Sequence, residues 1–255
     1  MDLKSMKIYT VNNVKECLYH FAFRNEYDVI TNEICRDLFQ AVINNNSSFS
    51  KSYPEHGMDI EAVIERLDTE YIEKVTNLRF VNFDISADNA GVFYDEKFDV
   101  CTINIKIVIS NDFSEQDYQR LNYTLYEVVR HEIEHKNTFC ELGNPKQDYT
   151  DIFERTFKST NFISHCKDIS TYILHPQELP SYAKSVYFYA KKSGKDFQDV
   201  VDSVLMRSFF NNDPNRVKLG MENSEISSLF KLTKERIISQ INLLFPKSIT
   251  RMTFL

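Results

Sequence analysis

Between Val100 and Leu142 the chain spells a strand and then a long helix, with little room for any other reading. Ile103, Ile105, Ile107 and Ile109 alternate with Thr102, Asn104, Lys106 and Val108, the period of two that marks a half-buried strand. Ser110-Asn111-Asp112 breaks the alternation. Ser114 and Asp117 then match the S-x-x-D pattern of a helix start. Leu121, Leu125, Val128 and Val129 carry one apolar face forward. Leu142-Gly143-Asn144-Pro145 supplies a stop, with Gly just past the end and Pro beyond it. The expectation is a helix over 114–142 entered directly from a strand over 100–109.

That helix carries His131-Glu132-Ile133-Glu134-His135, an H-E-x-x-H pattern. Helical residues four apart lie nearly above one another, so His131 and His135 present two imidazoles from one face, at a spacing that can chelate one Zn²⁺. Glu132 lies about 100° further round. There it sits beside the metal, where it can deprotonate a bound water. Ile133 points towards the core, and Glu134 falls on the opposite flank as the least informative letter. Catalytic zinc takes three protein ligands and keeps a fourth position open. Glu141, His165, His175 and Glu178 are the candidates for the third. The metzincin continuation is absent, since Thr138 and Glu141 stand where its Gly and third His belong. Pro180 lacks an N–H and belongs among the first helical positions, so a helix starts at about Gln177. Glu178 sits in its first turn, where a carboxylate is favoured by the helix dipole.

The remaining elements follow from spacing. Apolar residues recur at helical intervals over 12–45 and 59–75, separated by a polar loop at Asn44–Ser48 and a turn at Tyr53–Gly57. Residues 78–83, 91–94 and 100–109 are rich in β-branched and aromatic residues, and Asp95-Glu96-Lys97 reads as a hairpin tip. They predict a small, mainly antiparallel sheet of about three strands. After the motif come a short helix over 148–158, a mixed stretch over 160–174, helices to Ser193 and over 196–210, a turn at Asn211–Pro214 and a last helix over 223–244. The expected organisation is a helical region 1–76, a core 77–195 and a helical region 196–255, in one compact α+β unit.

Composition narrows the partners. The net charge is −7 with Lys and Arg dispersed, which disfavours a nucleic-acid face. The five cysteines form no C-x-x-C pair, so reduced thiols are expected rather than a disulfide framework or a Cys-based zinc site. No apolar segment follows Met1–Lys7 as in a secretory signal, and no run has the length to cross a bilayer. The expectation is a cytoplasmic protein without membrane contact, a viral protein inside a host cell included. Nothing in the sequence marks an oligomeric state.

The strand, the H-E-x-x-H helix and a Glu on a later helix together resemble the gluzincin branch of the zincin metallopeptidases. Glu178-Leu179-Pro180-Ser181-Tyr182-Ala183 is also similar to the E-x-x-A-type second helix of phage and mobile-element metallopeptidases, with Ser181 in place of the usual Ala. The resemblance covers about residues 98–192. It implies that His131, His135 and Glu178 hold zinc, with Glu132 as general base and later proton donor to the leaving amine. It also implies that the 100–109 strand is the edge along which an extended peptide lies. Tyr182 and His175 are its candidates for stabilising the oxyanion. The expected function is zinc-dependent hydrolysis of a peptide or protein substrate. The alternatives are a catalytically silent zincin-fold binding or regulatory protein with a structural metal, and an interaction protein without metal.

Overall fold

A computed structural model of the chain describes residues 24–76, 83–84, 90–95, 100–142 and 161–246. The elements in order are α1 (Arg24–Ile43), β1 (Ser48–Tyr53), β2 (Met58–Leu67), α2 (Thr69–Thr76), β3 (Phe83–Asp84), β4 (Ala90–Asp95), β5 (Val100–Ser110), α3 (Glu115–Leu142), α4 (Phe162–Ile173), α5 (Leu179–Ser193), α6 (Phe197–Phe210), α7 (Pro214–Glu222) and α8 (Ser224–Leu244). The architecture is mixed α+β. The expected helical start at 12–23, the tip at Glu96-Lys97, the stop at Gly143–Pro145 and the helix over 148–158 lie outside the described residues. Among the described residues, no helix is long and apolar enough to cross a membrane.

Among the described residues the sheet has five strands, where about three were expected. β5 is central: it pairs in parallel with β2 from Met58↔Cys101 to Leu67↔Ser110, and antiparallel with β4 and β3 on its other side. β1 pairs antiparallel with β2. The helix expected over 59–75 is therefore replaced by β2 followed by α2. Met58, Ile60, Ala62 and Ile64 are buried, while Glu61 and Val63 face outward, which is a period of two. The same apolar residues also fit helical spacing. Full-length pairing with the most apolar strand of the chain selects the extended form, a non-local contact that a local pattern does not carry. β5 is hydrogen-bonded on both sides, so it cannot be the edge strand that receives a peptide.

β5 delivers the chain into α3 through a fastened turn. Thr69 Oγ1 and Ser110 Oγ lie 2.8 Å apart, and Asn111 Nδ2 donates to Asp68 Oδ1 at 2.9 Å. At the start of α3 the expected cap forms in both directions: Ser114 N–H donates to Asp117 Oδ2 at 2.9 Å, and Asp117 N–H to Ser114 Oγ at 3.3 Å. Ser114→Ala is expected to cost about 1 kcal/mol, the usual value of such a cap, read as a lower urea midpoint at unchanged slope. An unchanged midpoint would show that packing alone sets the helix start.

Further along, Lys136 Nζ donates to His56 O at 2.7 Å, tying the motif helix to the turn between β1 and β2. Gly57 closes that turn at φ 57, a left-handed conformation that costs glycine least. The inner face of α3, Leu121, Leu125, Val129 and Ile133, is fully buried, as are Ile30, Ile34, Leu38 and Val42 of α1. One continuous apolar core joins these to the sheet and to α4, α5, α6 and α8.

The stretch expected to be mixed, 160–174, contains a regular helix. Asn161 caps α4 by accepting from Ile163 N at 2.9 Å and Ser164 N at 3.2 Å. α7, after the expected turn at 211–214, is likewise an added helix.

Candidate metal centre

His131 and His135 project from the second half of α3, in the part packed along α5. Ile133 between them is fully buried in the core, as expected. The third side chain arrives from the far end of a turn. After α4 ends, His175 N–H donates to Tyr172 O at 3.0 Å, and the amides of Glu178 and Leu179 both donate to His175 O at 2.9 Å. Glu178 is the residue immediately before α5, already with helical φ −89 and ψ −44; the helix begins at Leu179, two positions after the start expected at about Gln177. Pro180 follows inside the first turn, where its missing N–H leaves nothing unpaired.

The imidazole Nε2 atoms of His131 and His135 lie 2.9 Å apart. Glu178 Oε2 stands 3.2 Å from His131 Nε2, and Oε1 stands 3.2 Å from His135 Nε2. One donor atom from each of the three residues falls within 4.8 Å of the others, and all three residues are buried. Ligand atoms around a small tetrahedral cation with bonds of about 2.0–2.1 Å are about 3.3 Å apart. The observed spacings are within a few tenths of that, so the donor set fits one metal ion. Two imidazoles and a carboxylate also suit a divalent transition ion better than Mg²⁺ or Ca²⁺, which favour oxygen.

The electrostatics favour a cation as well. Glu178 is fully buried. Burial by itself would raise its carboxyl, but the His135 and His131 rings hold it well below the usual carboxylate range. Burial would lower the His135 imidazole, yet the Glu178 carboxylate and then Glu132 and Glu134 bring it up to about 9. The buried carboxylate is thus stabilised by positive charge beside it. A metal ion bound by the neutral imidazoles would bring that positive charge.

Other sequence candidates fall around this group. Glu132 is 3% exposed. Burial pushes its carboxyl above the ordinary value, the His135 and His131 rings act against this, and Glu178 adds to it. Tyr182 packs its ring edge-on against His131, with centroids 4.9 Å apart, and His131 meets His135 edge-on at 4.5 Å. His175 lies half-buried at the entry to α5, where its Nδ1 accepts from Gln177 N at 3.3 Å. Among the described residues, His175 and His165 are not in the converging group. The side chain of Glu141 lies outside the described residues.

Two residues at the site escape sequence reading. Tyr172, 6% exposed on α4, donates its hydroxyl to Glu178 Oε1 at 2.9 Å. The helix that carries it was not expected, although Asn161 offered a capping signal. Glu134, expected on an uninformative flank, is instead 4% exposed and bridges Arg130 of its own helix to Lys184 of α5. No protein-family model, curated protein or solved structure matches the chain.

Proposed function

We propose that the protein is a zinc-dependent peptidase of the gluzincin kind. The observation that carries this reading is the convergence of Glu178, from the entry to a separate helix, onto the two imidazoles of the H-E-x-x-H turn. The order of a strand, the motif helix and a later ligand helix supports it. So does the ligand count among the described residues: three protein donors leave the fourth position that a catalytic zinc keeps open, whereas structural sites take four.

His131, His135 and Glu178 would hold the zinc, which would supply Lewis acidity and lower the pKa of water at the site. Glu132 receives the proton of the attacking water at its carboxylate and passes it to the departing amine nitrogen. Its burial raises the carboxyl, which suits a group that must take up a proton and then release it. Tyr182, seated against His131, fixes that ring, and its hydroxyl and His175 are the candidates for stabilising the oxyanion. An extended peptide would add to β4 rather than β5. Among the described residues β4 pairs with β5 alone, and it packs against α3.

The burial of the site favours a second reading, a silent scaffold with a structural metal. His131 and His135 are each 6% exposed and Glu178 is 0% exposed. Elemental analysis of untagged protein and cleavage of a mixed peptide library separate the two. The peptidase is expected to carry one zinc per chain and to cut a subset of peptides, with cleavage abolished by a chelator and restored by zinc. Zinc without cleavage across the library favours the scaffold, and absence of zinc removes both readings.

A further inference from the structure

The two oxygens of Glu178 have different surroundings. Oε1 accepts the Tyr172 hydroxyl at 2.9 Å and stands near His135, while Oε2 faces His131. Tyr172 is 6% exposed and Glu178 is fully buried, so water does not compete for this bond. Both residues flank one short turn, which closes through His175 N to Tyr172 O at 3.0 Å and Glu178 N to His175 O at 2.9 Å. The turn places the phenol and the carboxylate face to face, so little further ordering is needed for the bond to form.

We infer that Tyr172 is a positioning residue of the metal centre: its hydroxyl holds Glu178 Oε1, so that Glu178 offers Oε2 to the cation as a single-oxygen ligand. A terminal carboxylate torsion is broad and roughly two-fold, and a bare Glu can swing or grip a cation with both oxygens. A hydroxyl on Oε1 removes that freedom and leaves Oε2 facing His131. Partners of this outer kind orient metal ligands, and their loss commonly weakens metal binding by about ten- to a hundredfold. The inference rests on the metal-centre reading above and does not require peptide cleavage.

The test uses the full chain, with Zn²⁺ and Co²⁺ as probes, in the parent, Tyr172→Phe and Ser170→Ala. Phe keeps the ring and removes only the hydroxyl. Ser170 lies on the same helix and shares a buried hydrogen bond of 2.8 Å with Thr233 Oγ1, so its loss loosens α4 without touching Glu178. Chelator competition is expected to give Tyr172→Phe a zinc dissociation constant about ten- to a hundredfold above the parent. Its Co²⁺ absorption bands are expected to change in intensity, because the carboxylate binds differently. Ser170→Ala is expected to keep the parent's affinity and spectrum. Equal affinity and an unchanged spectrum in Tyr172→Phe would overturn the inference while leaving the metal centre in place. Equal losses in both variants would also overturn it, since they would report only helix packing. A parent that takes up neither ion would remove the metal centre and this inference with it.

Discussion

Glu132→Gln is expected to fold, to keep its zinc and to cleave peptides at least about a hundredfold more slowly, the low end for loss of a general acid–base group. That factor corresponds to about 2.7 kcal/mol of transition-state stabilisation. Gln preserves the shape and removes only the ability to accept the water's proton. Its cost to folding is expected to be small, because burial already disfavours the Glu132 charge and a neutral amide avoids that penalty. His131→Ala serves as the contrast: it removes a ligand and is expected to lose zinc and activity together. Kinetics on zinc-loaded protein, with metal content measured on the same samples, make the comparison. Were Glu132→Gln to cleave as fast as the parent, another group would be the base.

The motif helix was readable because every local signal there agrees. The cap at Ser114, the apolar stripe through Leu125 and Val129 and the spacing of His131 and His135 all demand one helix, and α3 follows that outline. β2 escapes a local reading because Met58-Asp59-Ile60-Glu61-Ala62-Val63-Ile64 satisfies periods of two and of 3.6 alike, and only pairing with β5 distinguishes them. The same non-local fact moved β5 from the edge of the sheet to its centre. In α4 the difficulty was propensity: Ile163, Ile169, Thr171 and Ile173 are β-branched and weak helix formers. The helix holds through its Asn161 cap and the burial of Cys166, Ile169, Tyr172 and Ile173. Tyr172 is hidden along with α4, since its approach to Glu178 depends on a turn that only the folded chain displays. Glu178 could be placed near a helix start from its two prolines, but its approach to the imidazoles was implied by resemblance alone.

Glu134→Ala is expected to destabilise the protein by about 3–5 kcal/mol, the cost of leaving a buried charge without its partner. Arg130 is 2% exposed, and its guanidinium lies over the rings of Phe188 at 4.7 Å and Tyr27 at 5.5 Å. Both Arg130 and Lys184 pair with the Glu134 carboxylate, so its removal leaves two cations facing a low-dielectric gap between α3 and α5. Burial would raise the Glu134 carboxyl, but Arg130 and Lys184 lower it below the ordinary value. Its stabilising contribution is therefore present above the unfolded glutamate pKa and is lost as the pH falls through the lower folded value. In metal-free protein, the acid-side fall in stability is expected to be shallower for Glu134→Gln than for the parent. Lys184→Met is expected to cost less than Glu134→Ala, because Arg130 still neutralises the carboxylate. Urea midpoints measure all of these, and a loss below about 1 kcal/mol for Glu134→Ala would mean that the charges are solvated rather than buried. Replacing the whole group, Arg130→Met with Glu134→Leu and Lys184→Met, is expected to recover most of the stability, since apolar packing often equals a buried ion group. Zinc affinity in that triple variant then decides what the group is for. Restored stability with weakened zinc binding would show that the ion group fixes how α5 sits on α3, and so where Glu178 meets the two imidazoles. Restored stability with unchanged zinc binding would confine it to holding the helices together.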